Sequence, residues 1–148
     1  MNDIIKYANS LCEEHGTTNP FALCEALHIK VIYCELPREM NGFYLLIDET
    51  QVIFLNEELS EYDSRIVCGH ELGHALLHKK YNSIFLSTQT LLNCQRYENE
   101  ADIFCACLLI DDELSADFDV VTLENIAQRA GLPLRLVQLR YALKQNKR

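Results

Sequence analysis

The sequence has no long apolar run. None approaches the roughly 18 residues that a membrane span needs, and Met1-Asn2-Asp3 has neither the charge nor the apolar stretch of a signal peptide. We therefore expect a cytoplasmic protein without a membrane partner. Linkers, repeats and low-complexity segments are also missing. The chain of 148 residues thus predicts one domain, 1–148, with a C-terminal helical pair at about 122–145 in the same core.

Basic residues and paired cysteines are also scarce. The 13 Lys and Arg residues face 22 Asp and Glu residues, which gives a formal charge of −9. This balance argues against direct nucleic-acid binding, although it permits a basic partner protein. None of the seven cysteines forms a C-x-x-C pair. Without an export signal they are best explained as reduced core residues, not as disulfides or a cysteine zinc site.

The main motif is H-E-x-x-H, formed by His70, Glu71 and His74. Residues four apart on an α-helix are separated by about 40° around the axis and about 6 Å along it. Two imidazoles at this spacing can bind one Zn²⁺, and the carboxylate of Glu71 can act on a water beside it. The alternative is a pair of core histidines without a metal. Ser60 with Asp63 predicts the N-terminus of this helix.

The third ligand is predicted in the segment 97–102. Glu98 and Asp102 are four residues apart, so that Glu98 can bind the ion while Asp102 hydrogen-bonds the far nitrogen of a ligand histidine. Glu100 is rotated by about 200° from Glu98, so both cannot bind the same ion. We prefer Glu98 and expect Glu100 to be a solvated side chain. His78 continues the spacing, but each step drifts by about 40°, which favours a packing or supporting role.

The remaining pattern predicts an α+β fold. Two short helices are expected first, one ending at His15-Gly16 and one starting at Asn19-Pro20. A small antiparallel sheet of about three strands, arranged as a meander, should lead into the metal helix. Its outer strand is either an edge for an extended peptide or an ordinary protected edge. The predicted strands are Ile29 to Cys34, Phe43 to Ile47 and Val52 to Asn56, with the polar turn 48–51 joining the last two as a hairpin.

The second half is predicted to be mostly helical. Residues 79–93 should form a loop or short helix over the metal site, and helical spacing returns from about Gln95. An acidic surface loop is expected at 111–119. A helix capped by Thr122 should end at Gly131, and Leu132-Pro133 should start the last helix.

These motifs together resemble the ImmA/IrrE family of bacterial and phage metallopeptidases. The resemblance extends from about residue 30 to the C-terminal helices. It rests on the segments His70 to His78, Glu98-x-x-Ala101-Asp102-x-Phe104-x-x-x-Leu108-Leu109, Gly42 to Tyr44, Val52 to Asn56, Thr122 to Ala127 and Val137-x-x-Arg140. The chain departs from the family at Asp111, where a proline is common, and at Gly69, where alanine is usual.

The resemblance implies a zincin-like core and a zinc endopeptidase of the gluzincin type. Its partner would be a helix-turn-helix repressor that it cleaves or inactivates, which relieves silencing of a phage, a mobile element or a stress response. Glu71 would be the general base. Tyr97, Tyr44 and His78 are unranked candidates for stabilising the oxyanion. Mn²⁺ and Fe²⁺ could use the same ligands as Zn²⁺.

Two other functions fit the sequence. One is a binding protein with a zinc-stabilised fold that sequesters a repressor without cutting it. The other is a DNA-binding regulator, because 122–140 has the outline of a helix-turn-helix motif. That outline also describes any two short helices packed around Gly131, and the net charge of −9 argues against DNA.

Overall fold

The computed structural model describes residues 2–80 and 91–146. These two stretches form the predicted α+β fold, and none of their helices is long and apolar enough to cross a bilayer. In chain order the elements are α1 (Asn2–His15), α2 (Pro20–Ala26), β1 (Lys30–Cys34), β2 (Gly42–Ile47), β3 (Thr50–Asn56), α3 (Glu61–Leu77), α4 (Leu91–Leu109), α5 (Asp112–Ser115), the 3-10 helix Ala116–Asp119, α6 (Leu123–Ala130) and α7 (Leu134–Gln145).

Local capping determines where several helices begin and end. The Ser60 hydroxyl accepts a hydrogen bond from the Asp63 amide at 3.0 Å, and Thr122 accepts one from Asn125 at 3.3 Å. Both bonds satisfy amides that have no partner within the helix. At the end of α6, Gly131 adopts a left-handed conformation with φ of 64°. Glycine does so without steric cost, so the helix stops where the sequence predicts.

The sheet is mixed, and its strand order is β1-β3-β2. The predicted hairpin is confirmed, since β2 pairs antiparallel to β3 with Phe43 opposite Phe54. The predicted antiparallel meander is wrong, because β1 pairs parallel to β3, with Ile32 opposite the same phenylalanine. After β1 the chain crosses to the far edge before it returns as the hairpin. The hairpin's second strand therefore becomes the central one, and Ile53 and Leu55 on it are fully buried.

Two segments differ from the expected loops. Most of the loop expected at 79–93 lies outside the described residues, and α4 already begins at Leu91, before the predicted Gln95. The expected acidic loop at 111–119 is instead α5 and the 3-10 helix. The Asp111 carboxylate accepts from the Leu114 amide at 2.8 Å and so caps a helical turn, and Phe118 is buried beneath it. The acidic residues at its start are thus helix caps as well as surface charges.

α4 lies between two apolar clusters. One of its faces packs with α1, α2, the sheet and α3, and the other packs with α6 and α7. Leu139 on α7 packs against both clusters. The buried Arg140 donates from Nε to the Ile110 carbonyl at 3.1 Å and from Nη2 to Asp112 at 2.8 Å, so the last helix is tied to the end of α4. One domain spanning 1–148 stays a prediction, and these contacts support it.

Candidate metal centre

The two histidines of the motif lie on one side of α3. His74 is 1% exposed and His70 is 21% exposed. Their ring centroids are 4.9 Å apart, and the rings are nearly perpendicular, at 81°. This is the arrangement that the four-residue spacing on a helix predicts.

Glu98 on α4 faces both rings. Its Oε2 lies 2.9 Å from Nε2 of His70, and its Oε1 lies 3.1 Å from Nε2 of His74. One potential ligand atom from each of the three residues lies within 4.8 Å of the others. The structure therefore brings together two imidazole nitrogens and a carboxylate.

These three side chains fit a divalent metal ion. Nε2 of His74 is fully buried and has no hydrogen-bond partner among the described residues, although Oε1 of Glu98 lies 3.1 Å away. A buried nitrogen without a hydrogen bond is costly unless something else occupies its lone pair. Two histidines and one carboxylate are a ligand set that suits Zn²⁺. The orphaned nitrogen and the neighbouring donors thus make this the candidate metal centre.

Hydrogen bonds and charges within the cluster shift the pKa values of its members. Burial alone would lower the pKa of His70, but its bonds to Asp102 and Glu98, together with the charge of Glu71, raise that pKa to about 10. The hydrogen bond from His70 holds the pKa of Glu98 far below its usual value, and the close approach of His74 lowers that pKa further. The protonated ring of His70 therefore bridges the carboxylates of Asp102 and Glu98 at neutral pH. A cation at this point would take the place of that proton.

Asp102 supports His70 from the side away from Glu98. Its Oδ1 lies 3.0 Å from Nδ1 of His70, and Nη1 of Arg135 donates to its Oδ2 at 3.1 Å. Burial would raise the pKa of Asp102, but the hydrogen bond and charge of His70 and the charge of Arg135 lower it on balance. Arg135 is a residue that the sequence reasoning missed. It lies 33 positions after Asp102 on another helix, and no local pattern joins the two.

His78 supports His74 in a similar way. The Nδ1 atoms of the two rings are 3.0 Å apart, and Tyr97 packs on His78 edge-on, with a centroid distance of 4.5 Å. Burial lowers the pKa of His78 to about 4, so this ring is neutral at neutral pH. Glu100 points toward His78 and Arg96 and not toward the cluster, as expected from its rotation on the helix. It is only 25% exposed, however, so the expectation of a solvated side chain is wrong, because His78 covers part of it.

A cavity of about 800 Å³ opens beside the cluster. His70, Glu71 and Glu98 line it, and Glu71 is 6% exposed. Its other walls come from the segment between β1 and β2, from the first half of α3 and from the start of α7; they include Pro37, Met40, Gly42, Ile66, Pro133 and Leu136. An elongated ligand in this cavity would lie directly against His70, Glu98 and Glu71.

The three oxyanion candidates are engaged in contacts outside the cavity. The Tyr44 hydroxyl is committed to other groups, since it donates to the Lys79 carbonyl at 2.9 Å and accepts from Gln51 at 3.0 Å. His78 is engaged behind His74, and Tyr97 packs on His78. Among the described residues, none of these three side chains lines the cavity.

Comparisons with known proteins agree with the resemblance in the sequence. Residues 24–141 match the Peptidase M78 family, described as the IrrE N-terminal-like domain. An uncharacterized immunity region protein 2 of Bacillus phage phi105 is 35% identical over 132 residues, which cover 88% of this chain and 84% of the phage protein. The metallopeptidase ImmA of Bacillus subtilis (strain 168) is 28% identical over 71% of this chain and 62% of its own length.

A solved structure shares the fold. A Mycobacterium tuberculosis transcriptional regulator superposes with a TM-score of 0.68 at 15% identity, over 95% of this chain and 46% of the regulator. The chain thus spans less than half of that protein, and the likeness concerns the fold alone. The family match covers most of the chain, and the chain therefore belongs to the Peptidase M78 family of IrrE N-terminal-like metallopeptidase domains.

Proposed function

We propose that the protein is a zinc-dependent endopeptidase that inactivates a helix-turn-helix repressor by cleavage. His70, His74 and Glu98 would hold the ion, with Mn²⁺ or Fe²⁺ as alternatives, and Glu71 would be the general base. The observation that carries this proposal is the convergence of three ligand atoms within 4.8 Å of one another, next to a buried glutamate at a cavity wall.

When bound, the ion would supply Lewis-acid polarisation of a carbonyl and make a nearby water more acidic. The protein's own contribution is orientation and proton transfer. Asp102, held by Arg135, fixes the ring of His70 through its Nδ1, which leaves Nε2 directed at Glu98. The carboxylate of Glu71 would take a proton from the attacking water and return it to the leaving amine.

The choice of substrate rests on the relatives. One similar protein is named for a phage immunity region, and another is named a metallopeptidase. A peptidase that acts on immunity would have a regulatory protein as its substrate, and the acidic chain suits a partner with a basic surface, as repressors have. The described residues offer an 800 Å³ cavity, which accommodates an extended peptide segment and not a folded domain.

The helical pair near the C-terminus does not favour the DNA-binding function. Arg140, the arginine of the apparent motif, is 2% exposed and bonded to Ile110 and Asp112. It therefore cannot reach a phosphate without leaving the core. Leu136 and Val137 beside it are also buried, so this face of the last helix is a packing surface.

The decisive experiment compares Glu71→Gln with the parent protein. The amide keeps the shape of the side chain but cannot accept a proton, so metal content and thermal midpoint should be retained. Cleavage should slow by about 10²- to 10⁴-fold, the usual contribution of a general base. The substrate to test is a helix-turn-helix repressor encoded by a neighbouring gene, and its length is followed by gel electrophoresis and mass spectrometry.

Two further variants make the result specific. Glu61→Gln makes the same chemical change at an exposed position in the first turn of α3 and should cleave like the parent. His74→Ala should lose metal, and stability with it, because metal binding adds to folding. If Glu71→Gln still relieves repression while the repressor stays full length with both proteins, the peptidase function is wrong and sequestration replaces it.

A further inference from the structure

The contact between His74 and His78 restricts which ring nitrogens of the two residues can carry a proton. Their Nδ1 atoms are 3.0 Å apart, and both rings are buried, with 1% and 4% exposure. A neutral imidazole carries a proton on one nitrogen only, and this hydrogen bond needs one donor and one acceptor. One ring must therefore carry its proton on Nδ1, and the other must not.

The two possible arrangements differ in their consequence for a metal. If His74 is the donor, its Nε2 is unprotonated and its lone pair faces Glu98 and the candidate metal position. If His78 is the donor, His74 carries its proton on Nε2, and that nitrogen cannot bind an ion. The tautomer of His78 thus decides whether His74 can act as a ligand.

A carboxylate stands on each side of this pair. Oε1 of Glu98 lies 3.1 Å from Nε2 of His74 and favours a proton there. Oε2 of Glu100 lies 3.6 Å from Nε2 of His78 and favours a proton on that atom instead. At 3.6 Å the second contact is an electrostatic attraction and not a hydrogen bond, but it acts between largely buried groups where screening is weak. A proton on Nε2 of His78 leaves Nδ1 of the same ring as the acceptor for His74.

Neighbouring side chains keep Glu100 and His78 in place. Nε of Arg96 donates to the other oxygen of Glu100 at 3.0 Å, and Tyr97 packs edge-on against the His78 ring. The pair is thus held on one side of His74, opposite Glu98.

We propose that His78 and Glu100 are positioning residues that keep His74 in the tautomer with a free Nε2, ready for a metal ion. This inference rests on the proposed function only in that His74 binds the ion. It assigns a role to His78, which follows His74 at the same four-residue spacing as His74 follows His70. His78 lies too far round the helix to share the ion.

The test uses two substitutions at one position. His78→Phe keeps a ring for Tyr97 to pack on but removes the acceptor, whereas His78→Asn places an oxygen near the former Nδ1 atom. We expect Zn²⁺ affinity, measured by competition with a chelator, to fall by roughly 10- to 100-fold in His78→Phe. His78→Asn should recover most of this loss. Glu100→Ala should weaken affinity in the same direction, and the thermal midpoint of each metal-free variant checks the fold.

A second measurement reads the tautomer itself. The ¹⁵N shifts of the His74 ring in the metal-free protein should show the proton on Nδ1 in the parent and on Nε2 in His78→Phe. If the parent binds Zn²⁺ and His78→Phe binds it equally well, or if both show the same His74 tautomer, this inference is wrong. If the parent binds no Zn²⁺, the proposed metal centre itself fails, so the two failures are distinguishable.

Discussion

Gly73→Ala should disturb the metal centre through the contact between α3 and α4, without changing any proposed ligand. Gly73 lies where α3 crosses α4. A Cβ atom at this position would stand 3.1 Å from Cα and 3.2 Å from the carbonyl oxygen of Ala101, and 3.3 Å from Cβ of Phe104. Two of these three atoms are backbone, so the side chain cannot be accommodated by a rotamer change. The two helices must move apart by a few tenths of an ångström.

The expected size follows from two opposing terms. Alanine is favoured over glycine inside a helix by about 1 kcal/mol. Overpacking a tight core contact costs about 1–3 kcal/mol. The net effect should be a loss of about 1 kcal/mol, or a fall in Tm of about 2–4 °C for a chain of this size. Because Ala101 lies between Glu98 and Asp102 on α4, the same movement should shift both carboxylates from the histidines and weaken metal binding.

Gly69→Ala on the same helix is the matched control. Its added Cβ would meet Sγ of Cys105 at 3.1 Å, and the next neighbour is Cδ1 of Leu109 at 3.9 Å. A cysteine side chain can turn away, so the helix-propensity gain should dominate and Tm should stay level or rise. The assay is thermal unfolding by circular dichroism, with Zn²⁺ affinity measured on the same samples. If Gly73→Ala is at least as stable as Gly69→Ala and binds metal normally, the contact between α3 and α4 has room for the added methyl group and this reasoning is wrong.

Two further predictions concern the proton on His70 and the buried arginine. The pKa of His70 is raised to about 10 in the metal-free protein, so Zn²⁺ binding at pH 7 should release about one proton. Zn²⁺ affinity should therefore increase with pH up to that value. Calorimetry in buffers of different ionisation enthalpy measures the proton release, and a binding heat that does not depend on the buffer would contradict it. Arg140→Met should lower the free energy of unfolding by about 1–3 kcal/mol, because the Ile110 carbonyl loses its buried donor. Denaturant unfolding of this variant should remain one transition, as expected for a single domain. Two separate transitions would refute the single core.

Features that depend on neighbouring residues were predictable from the sequence. Asn19 and Ser60 were recognisable as helix starts because each side chain bonds an amide two or three residues later. The left-handed stop at Gly131 was recognisable for the same reason, since few other residues adopt that conformation. Glu98 and Asp102 were found together because helical spacing alone puts them on one face.

Features that depend on tertiary contacts were not predictable. The parallel pairing of β1 with β3 joins strands with another strand between them in the chain, so adjacency in sequence suggested the wrong order. The acidic segment after Ile110 looked like a solvated loop because its charges dominate the pattern, while its single buried aromatic, Phe118, gives no periodic signal. Arg135 and Arg140 look like surface residues of the last helix. Only the positions of α4 and of the segment that follows it give them partners.

The charges around His70 show how the centre could accommodate a divalent cation. In the metal-free protein, the protonated His70 and Arg135 balance the carboxylates of Glu98 and Asp102. Replacing one proton by a divalent cation would add one positive charge to this balanced group. The buried Glu71, which already acts on His70 electrostatically, supplies the compensating negative charge at the adjacent position of the helix. The glutamate of the motif can therefore stabilise the ion through its charge as well as act as a base. Glu71→Gln should bind Zn²⁺ with modestly lower affinity, still retain it when Zn²⁺ is saturating, and lose nearly all of the cleavage.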